Sequence, residues 1–196
     1  IGRMLHITKN NVDLCFQAII DKDLKAVAKA DETEETIDLM NKELGRYISK
    51  ILIHDKTGQD SEAIEEYFRV IGNIERIGDH AVNIGGYVLV MEKNGVTFSE
   101  DAQKELHKMK EICQKAMNLL ENVDDDAAKW LSRIAALEQQ MDDMTVNYRN
   151  NHIERMKQGL CSEQGCILFS ELLTDFERMG DHMLNIAQSY AKIAVV

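Results

Sequence analysis

Hydrophobic residues recur every three or four positions along almost the whole chain, which is the spacing of an α-helix with one buried face. No stretch shows the strict alternation of polar and apolar residues that is typical of a half-buried β-strand. We therefore predict an all-α fold. The pattern indicates six helices, over residues 2–21, 24–54, 61–93, 99–122, 125–158 and 162–194.

The breaks between these helices carry capping and turn residues. Three serines, each with a glutamate in the following turn, are predicted N-caps: Ser61, Ser99 and Ser162. Residues that tolerate a left-handed backbone are predicted to end three helices: Thr57-Gly58, Asn94-Gly95 and Gly159. Proline is absent from all 196 residues, which suits long helices joined by short loops.

The helix order short, long, long occurs twice, and the sequence itself repeats. Residues 74–85 align with residues 176–187 at a constant offset of 102, and seven of the twelve positions are identical. A weaker match, at an offset of 104, relates Glu34-x-x-Ile37-Asp38 to Glu138-x-x-Met141-Asp142. We therefore predict two tandem, pseudo-symmetric three-helix bundles, one over residues 1–96 and the other over residues 97–196.

Each repeat carries acidic residues four positions apart on one helix face, an arrangement we call the acidic ladder. The ladders are Glu75, Asp79 and Asn83 in the first repeat and Glu177, Asp181 and Asn185 in the second. Each row continues upstream through an apolar residue, Ile71 or Leu173, so the ladder lies at the edge of the apolar stripe. Carboxylates resist desolvation there and repel each other, which favours a bound cation.

The long helix before each ladder offers further carboxylates at the same spacing: Glu34 and Asp38, and Glu138 and Asp142. Antiparallel packing would join them to the ladder acids, and all-oxygen sites suit iron, manganese, magnesium or calcium. Gly78 and Gly180 each cost about 1 kcal/mol inside a helix, and leave room for an ion or a facing helix. We predict two metal sites, with Asn83 and Asn185 in supporting positions. The alternative is that the acids pair with Arg and Lys across the bundle.

Charge and composition exclude several classes of function. The net charge is −11 and the pI about 5.0, whereas nucleic acids and anionic lipids require a cationic face. No apolar run approaches the roughly 20 residues of a membrane-spanning helix. The cysteines show no zinc-site spacing, so we expect all four to be free thiols in the core, and we expect a cytoplasmic protein.

The repeated motif Glu-Arg-Ile-Gly-Asp-His-Ala-Val-Asn-Ile resembles the signature of the PhoU family. That resemblance implies six helices in two similar bundles, metal-binding Glu/Asp-x-x-x-Asp motifs, and regulation of phosphate uptake rather than catalysis. The implied ligands are Glu75, Asp79, Glu177 and Asp181, with a looser match at Glu34, Asp38, Glu138 and Asp142. The implied cofactor is iron first, with manganese, magnesium, calcium or zinc as alternatives, and purification can remove it.

One region departs from the pattern of free-standing PhoU proteins. Those members carry a proline and an Asp-Leu-Arg stretch before the ladder, whereas this chain has Glu65-Glu66-Tyr67-Phe68-Arg69. The region looks more like the PhoU-like cytoplasmic tail of bacterial Na⁺/phosphate cotransporters. We therefore expect a membrane transporter domain upstream in the same chain as the partner. The alternative is a free-standing regulator that docks on a phosphate ABC transporter and its sensor kinase.

A third hypothesis is a carboxylate-bridged di-metal enzyme of the ferritin-like kind. Such sites use Glu-x-x-His on inward helix faces, but the residue three positions after Glu75 is Gly78. We therefore expect no enzymatic activity. The oligomeric state stays open, and a homo-oligomer is compatible with the sequence.

Overall fold

The computed structural model describes residues 1–54, 61–124 and 126–193, and within these ranges the regular structure is helical throughout. The helices are α1 (Gly2–Asp21), α2 (Leu24–His54), α3 (Ser61–Asn94), α4 (Glu100–Glu121), α5 (Ala127–Lys157) and α6 (Glu163–Ile193). Their ends lie within two residues of the predicted ones. The predicted stop at Thr57-Gly58 lies outside the described residues.

Serine caps begin α4 and α6 as predicted. The Ser99 hydroxyl oxygen accepts a hydrogen bond from the Ala102 backbone N–H at 3.3 Å. The Ser162 hydroxyl oxygen accepts one from the Gly165 backbone N–H at 3.0 Å. Each bond satisfies a donor that the first turn of a helix leaves without a partner. Ser61 is the first residue of α3.

The ends of α3 and α5 also follow the sequence. Gly95 and Gly159 have φ angles of +63° and +71°, in the left-handed region where glycine is least strained. The start of α5 differs from the prediction by two residues. The Asp126 carboxylate accepts a hydrogen bond from the Lys129 backbone N–H at 3.0 Å, so this side chain caps the helix and α5 begins at Ala127.

The six helices form two three-helix bundles, which confirms the predicted architecture. Helices α1, α2 and α3 pack against one another, and so do α4, α5 and α6. The bundles join chiefly along α3 and α6, with a smaller contact between α1 and α4. The two ladder helices are therefore direct neighbours at the centre of the molecule. The predicted boundary after residue 96 lies between α3 and α4.

The apolar faces of the helices meet in one continuous core that spans both repeats. The side chains of Phe16, Phe169, Phe176 and Trp130 are completely buried, and the Trp130 indole N–H donates to the Leu119 carbonyl at 2.7 Å. Burial of a large apolar side chain stabilises the fold by about 1.5–3 kcal/mol. The two repeats therefore share a single hydrophobic core.

The thiols divide into two groups, which corrects the expectation that all four lie in the core. Cys15 and Cys113 are buried, whereas Cys161 and Cys166 are half-buried, and all four are free. The second pair flanks Ser162 at the connection between α5 and α6, at one end of a bundle.

Charged residues interrupt every helix of the described ranges. As a result, none of these helices combines the length and the apolar character needed to cross a bilayer.

Candidate functional site

The acids of the first repeat form one carboxylate cluster, defined here as Glu34, Asp38, Glu75 and Asp79. Burial raises the pKa of Glu34, and the charges of Asp79, Asp38 and Glu75 raise it further. Burial also raises the pKa of Glu75, with further contributions from Asp79 and Asp38. Helices α2 and α3 therefore place their carboxylates within electrostatic reach of one another, as the two spacings together predicted.

The second repeat forms an equivalent cluster, defined here as Glu138, Asp142, Glu177 and Asp181. Burial raises the pKa of Asp142, and the charges of Glu177, Asp181 and the adjacent Asp143 add to this effect. Burial raises the pKa of Glu138 as well, followed by the charges of Asp142 and Asp181. The same helix pairing, now between α5 and α6, brings these acids together.

One acid of each cluster pairs with a basic residue of its own helix, and not across the bundle as the alternative hypothesis had it. The Lys42 ammonium donates to the Asp38 carboxylate one turn away on α2, at 2.5 Å. The Arg178 guanidinium donates to the Asp181 carboxylate at 3.1 Å. Both ion pairs are weak because their side chains are exposed to solvent, which screens the charges. They offset one negative charge in each cluster, yet the pKa values of Glu34, Glu75, Glu138 and Asp142 stay raised.

The two ladder glycines allow a facing helix to approach closely. A Cβ atom on Gly78 would lie 3.4 Å from the Ile37 Cδ1 atom of α2, and one on Gly180 would lie 3.3 Å from the Met141 Sδ atom of α5. Ile37 and Met141 are equivalent residues of the repeat. Of the two roles that the sequence left open for these glycines, close helix packing is the one that the contacts support.

Within the described residues, no three His, Cys, Asp or Glu side chains stand in an arrangement that could hold a metal ion. The donor set nevertheless fits a hard cation, since each cluster consists of carboxylate oxygens that repel one another. In the second cluster the Asp142 Oδ1 atom is buried and has no hydrogen-bond partner among the described residues. A carboxylate oxygen in this state is stabilised by a cation. Rotation of these side chains would be needed for them to converge on one ion.

The asparagines of the ladders make their contacts away from the clusters. The Asn83 amide donates to the Asp175 carboxylate of α6 at 3.2 Å, and the Asn185 amide donates to the Asn73 side-chain oxygen of α3 at 3.4 Å. Residues Asn73 and Asp175 are themselves equivalent, at the repeat offset of 102. We predicted that the asparagines support the metal sites. In the structure both make their hydrogen bonds at the contact between the two repeats instead.

Comparison with known proteins shows which family has this architecture. The sequence matches the PhoU domain over residues 1–88 and 104–190, which together include both acidic ladders. The chain belongs to the PhoU family.

Relatives in this family are distant in sequence and similar in length. The phosphate-specific transport system accessory protein PhoU homolog 1 of Thermotoga maritima is 22% identical over 193 residues, covering 96% of this chain and 81% of that protein. The corresponding PhoU homolog of Xylella fastidiosa strain 9a5c is 20% identical over 189 residues, covering 96% and 79%.

Two solved structures share the fold. The crystal structure of PhoU from Pseudomonas aeruginosa superposes with a TM-score of 0.89 at 19% identity, covering 98% of this chain and 92% of that one. The phosphate transport system regulatory protein PhoU from Streptococcus pneumoniae gives a TM-score of 0.86 at 18% identity, covering 98% and 90%. The six-helix arrangement is therefore the PhoU fold.

In this PhoU chain the contact between α3 and α6 contains a row of buried and half-buried polar side chains, including the two histidines of the repeated motif. Asp175 accepts from the Tyr87 hydroxyl at 2.6 Å and contacts the His80 Nδ1 atom at 2.7 Å. Burial, followed by the hydrogen bond to Asp175 and then by the charge of that residue, raises the pKa of Tyr87. On the other side of the pseudo-symmetry axis, the His182 Nδ1 atom lies 2.9 Å from the Asn73 side-chain oxygen.

His80 and His182, which make these contacts, also contact each other. The rings of His80 and His182 stack with centroids 5.5 Å apart and an interplanar angle of 19°. Burial, then the neighbouring His80, lowers the pKa of His182 to about 4. A neutral His182 ring can donate its Nδ1 proton to Asn73, so this pair is held as a neutral hydrogen bond. The third contact of the row joins the Ser189 hydroxyl to the Glu66 carboxylate at 2.6 Å.

A seven-residue spacing in the sequence could have revealed this interface. Polar residues recur at that interval within the apolar stripes of both ladder helices: Glu66, Asn73, His80 and Tyr87 on α3, and Asp175, His182 and Ser189 on α6. Apolar residues lie between them at intervals of three and four, as in the seam of a coiled coil. Polar residues at such positions fix the register of two helices. Here they fix the register of the two repeats.

Proposed function

We propose that this chain is a PhoU-type accessory protein that regulates phosphate transport by contact with a membrane transporter, on the cytoplasmic side of the membrane. The observation that carries the proposal is the PhoU match over both repeats, together with relatives that are named accessory proteins of phosphate-specific transport systems. The role is regulatory rather than catalytic.

The names of the relatives help to decide between a separate regulator and the tail of a cotransporter. Their names describe accessory proteins of a transport system, and this supports a separate regulator of a phosphate transporter more than the tail of a Na⁺/phosphate cotransporter. The absent proline and the segment Glu65–Arg69 were the grounds for the cotransporter hypothesis. That hypothesis becomes the second candidate.

Contact with the transporter must use protein surface rather than lipid. The net charge of −11 repels anionic headgroups, and the apolar residues of α1 such as Met4, Leu5, Val12 and Phe16 are buried in their own bundle. Of the exposed surface, we assign docking to the acidic and polar helix faces. An acidic face is attracted to basic segments of a membrane protein at its cytoplasmic surface.

The carboxylate clusters are proposed as metal sites within this regulatory role. The first would use Glu34, Asp38, Glu75 and Asp79, and the second Glu138, Asp142, Glu177 and Asp181. The raised carboxyl pKa values and the buried Asp142 oxygen without a partner support this assignment. A bound di- or trivalent cation would neutralise the mutual repulsion of the acids. The cluster residues would then tie α2 to α3, and α5 to α6.

Phosphate uptake tests the regulatory role. We expect cells that lack this chain to take up phosphate with altered dependence on external phosphate, and expect the normal dependence to return when the chain is supplied at matched expression. Identical uptake at every external phosphate concentration would contradict regulation. Complete loss of uptake, with the transporter still inserted, would mean that the chain belongs to the transport machinery itself.

The sodium dependence of uptake separates the two transporter arrangements. If the chain regulates an ATP-driven transporter, its removal should alter phosphate uptake equally with and without a sodium gradient. A change confined to sodium-driven uptake would favour the cotransporter hypothesis. The matched control is a strain that carries the chain with Glu35→Gln, because Glu35 is exposed on α2 and outside both clusters.

A further inference from the structure

The connection between α5 and α6 is held by backbone hydrogen bonds at both ends. At the end of α5 the Leu160 N–H donates to the Arg155 carbonyl and the Gly159 N–H to the Met156 carbonyl, both at 2.9 Å. At the start of α6 the Cys166 N–H donates to the Ser162 carbonyl at 3.0 Å. The Ser162 side chain caps the same turn through Gly165. These hydrogen bonds fix the backbone conformation of the connection between α5 and α6.

Two cysteines occupy a specific pair of positions around this cap. Cys161 immediately precedes the cap residue Ser162, and Cys166 is the fourth residue of α6. In a capped helix these two positions are the ones whose side chains pack together across the first turn. Burial raises the pKa of the Cys161 thiol, and the nearby Cys166 raises it further, in agreement with close approach of the two sulfur atoms.

Accessibility separates this pair from the other thiols. Cys161 and Cys166 are half-buried, and Cys166 lines a surface cavity together with Arg149 and Ser170. Cys15 and Cys113 have no exposed surface, and burial raises the pKa of Cys15 to about 12. A dissolved oxidant therefore reaches the pair at the α6 cap and not the thiols in the core.

We propose that Cys161 and Cys166 form a redox-sensitive dithiol that closes to an intramolecular disulfide when a peroxide oxidises the protein. Cys166 attacks first, because it lines the surface cavity, whereas burial raises the pKa of the Cys161 thiol. The Cys166 thiolate displaces hydroxide from the peroxide and becomes a sulfenic acid. The Cys161 sulfur then attacks the Cys166 sulfur, the S–S bond forms, and hydroxide leaves as water. Hydrogen peroxide is thus reduced to water as two thiols are oxidised.

The disulfide would change the end of α6 that leads to the second carboxylate cluster. In the reduced form the Cys161 thiol lies 3.8 Å from the His152 carbonyl oxygen of α5. Oxidation moves that sulfur from α5 to α6 and closes a covalent ring around the Ser162 cap. The first turn of α6 can then no longer open independently of the loop.

Peptide mapping of the full chain tests the proposal. A protease that cleaves after glutamate separates residues 155–163 from residues 164–171, because cleavage follows Glu154, Glu163 and Glu171. After treatment with hydrogen peroxide we expect these two peptides to remain joined until a reductant is added, while Cys15 and Cys113 still react with an alkylating reagent after unfolding. Separate peptides with unmodified thiols, or disulfides between chains only, would overturn the proposal.

Single variants test the order of the steps and the geometry. With Cys161→Ser we expect a sulfenic acid on Cys166 that a dimedone probe captures, and with Cys166→Ser we expect little labelling of Cys161. The reverse pattern would overturn the assigned order. Ser162→Ala removes the cap and should slow disulfide formation severalfold. An unchanged rate in Ser162→Ala would show that the cap does not bring the two sulfur atoms together.

Discussion

The two carboxylate clusters occupy equivalent places in the repeats but differ in the charges around them. Next to the first cluster, Lys42 pairs with Asp38, and position 39 is a leucine. At the repeat offset of 104, the lysine is replaced by the exposed Val146 and the leucine by Asp143. At these two neighbouring positions the second repeat therefore carries an acid in place of the leucine and no lysine.

This difference shows that one fold can hold two sites of unequal electrostatic potential. The helix positions are set by the apolar residues and glycines that both repeats share, whereas the charge is set by exposed neighbours that are free to vary. The buried Asp142 oxygen without a hydrogen-bond partner also belongs to the second cluster. We therefore expect the second cluster to bind a cation more tightly than the first.

The largest expected effect is loss of metal from one repeat at a time. Glu177→Gln with Asp181→Asn should remove binding at the second cluster, and Glu75→Gln with Asp79→Asn at the first, because each pair removes two of four proposed ligands. Elemental analysis after dialysis against manganese would measure the metal that each variant retains. Glu35→Gln is the control. Unchanged stoichiometry in both double variants would refute the metal sites.

The contact between the repeats should respond to Asp175 more than to its equivalent Asn73. Asp175→Ala leaves the Tyr87 hydroxyl and the His80 ring without their acceptor, so we expect the free energy of unfolding to fall by about 2 kcal/mol. Asn73→Ala removes weaker, neutral contacts and should cost about 1 kcal/mol. Urea unfolding measures both. If both variants lose the same free energy of unfolding, the negative charge of Asp175 contributes nothing beyond the hydrogen bonds at this interface.

Exchanging one neighbouring residue should reduce the difference between the clusters. We expect Lys42→Val to strengthen cation binding at the first cluster and Val146→Lys to weaken it at the second. Solvent screens these exposed side chains, so we expect each shift in Kd to be severalfold at most. Manganese titration calorimetry in each double-variant background isolates one cluster. Affinities that do not move in opposite directions would contradict the electrostatic explanation.

The smallest expected effect is a pH dependence of stability in metal-free protein. The pKa values of Glu34 and Glu138 are raised above the ordinary 4.5 in the folded state, so the folded chain binds more protons than the unfolded chain just above that pH. The free energy of unfolding should therefore rise as the pH falls from neutral towards about 4.5. Glu34→Gln and Glu138→Gln should each stabilise the protein at pH 7 by less than about 1 kcal/mol.

Glu35→Gln is the matched control for this prediction, because Glu35 is exposed on the same helix as Glu34. Thermal unfolding at pH 7 and pH 5 in the presence of a chelator measures the change. If the cluster variants and the control behave alike at both pH values, repulsion within the clusters does not affect stability.

The helices and the pairing of the acids could be predicted because both follow from local spacing. Apolar residues at helical intervals placed the six helices, and Ser99, Ser162, Gly95 and Gly159 placed several of their ends. Acids four residues apart lie on one helix face, and two such rows come together where both lie at the edges of apolar stripes that pack. The metal itself stays a prediction, since the acids do not converge on an ion in the described residues.

The sequence by itself determined the all-α class, the duplicated three-helix unit and the acidic row on each ladder helix, because periodicity and repetition are properties of the chain alone. Only the tertiary structure decided that the two ladder helices pack on each other, that Asn83 contacts Asp175, and that the glycines serve helix packing. Asn83 and Asp175 are 92 positions apart in the chain, and each glycine lies about 40 positions from the residue that it contacts. The apolar stripe of a helix does not specify which other helix will cover it. That choice depends on the shape and polarity of whole packed surfaces.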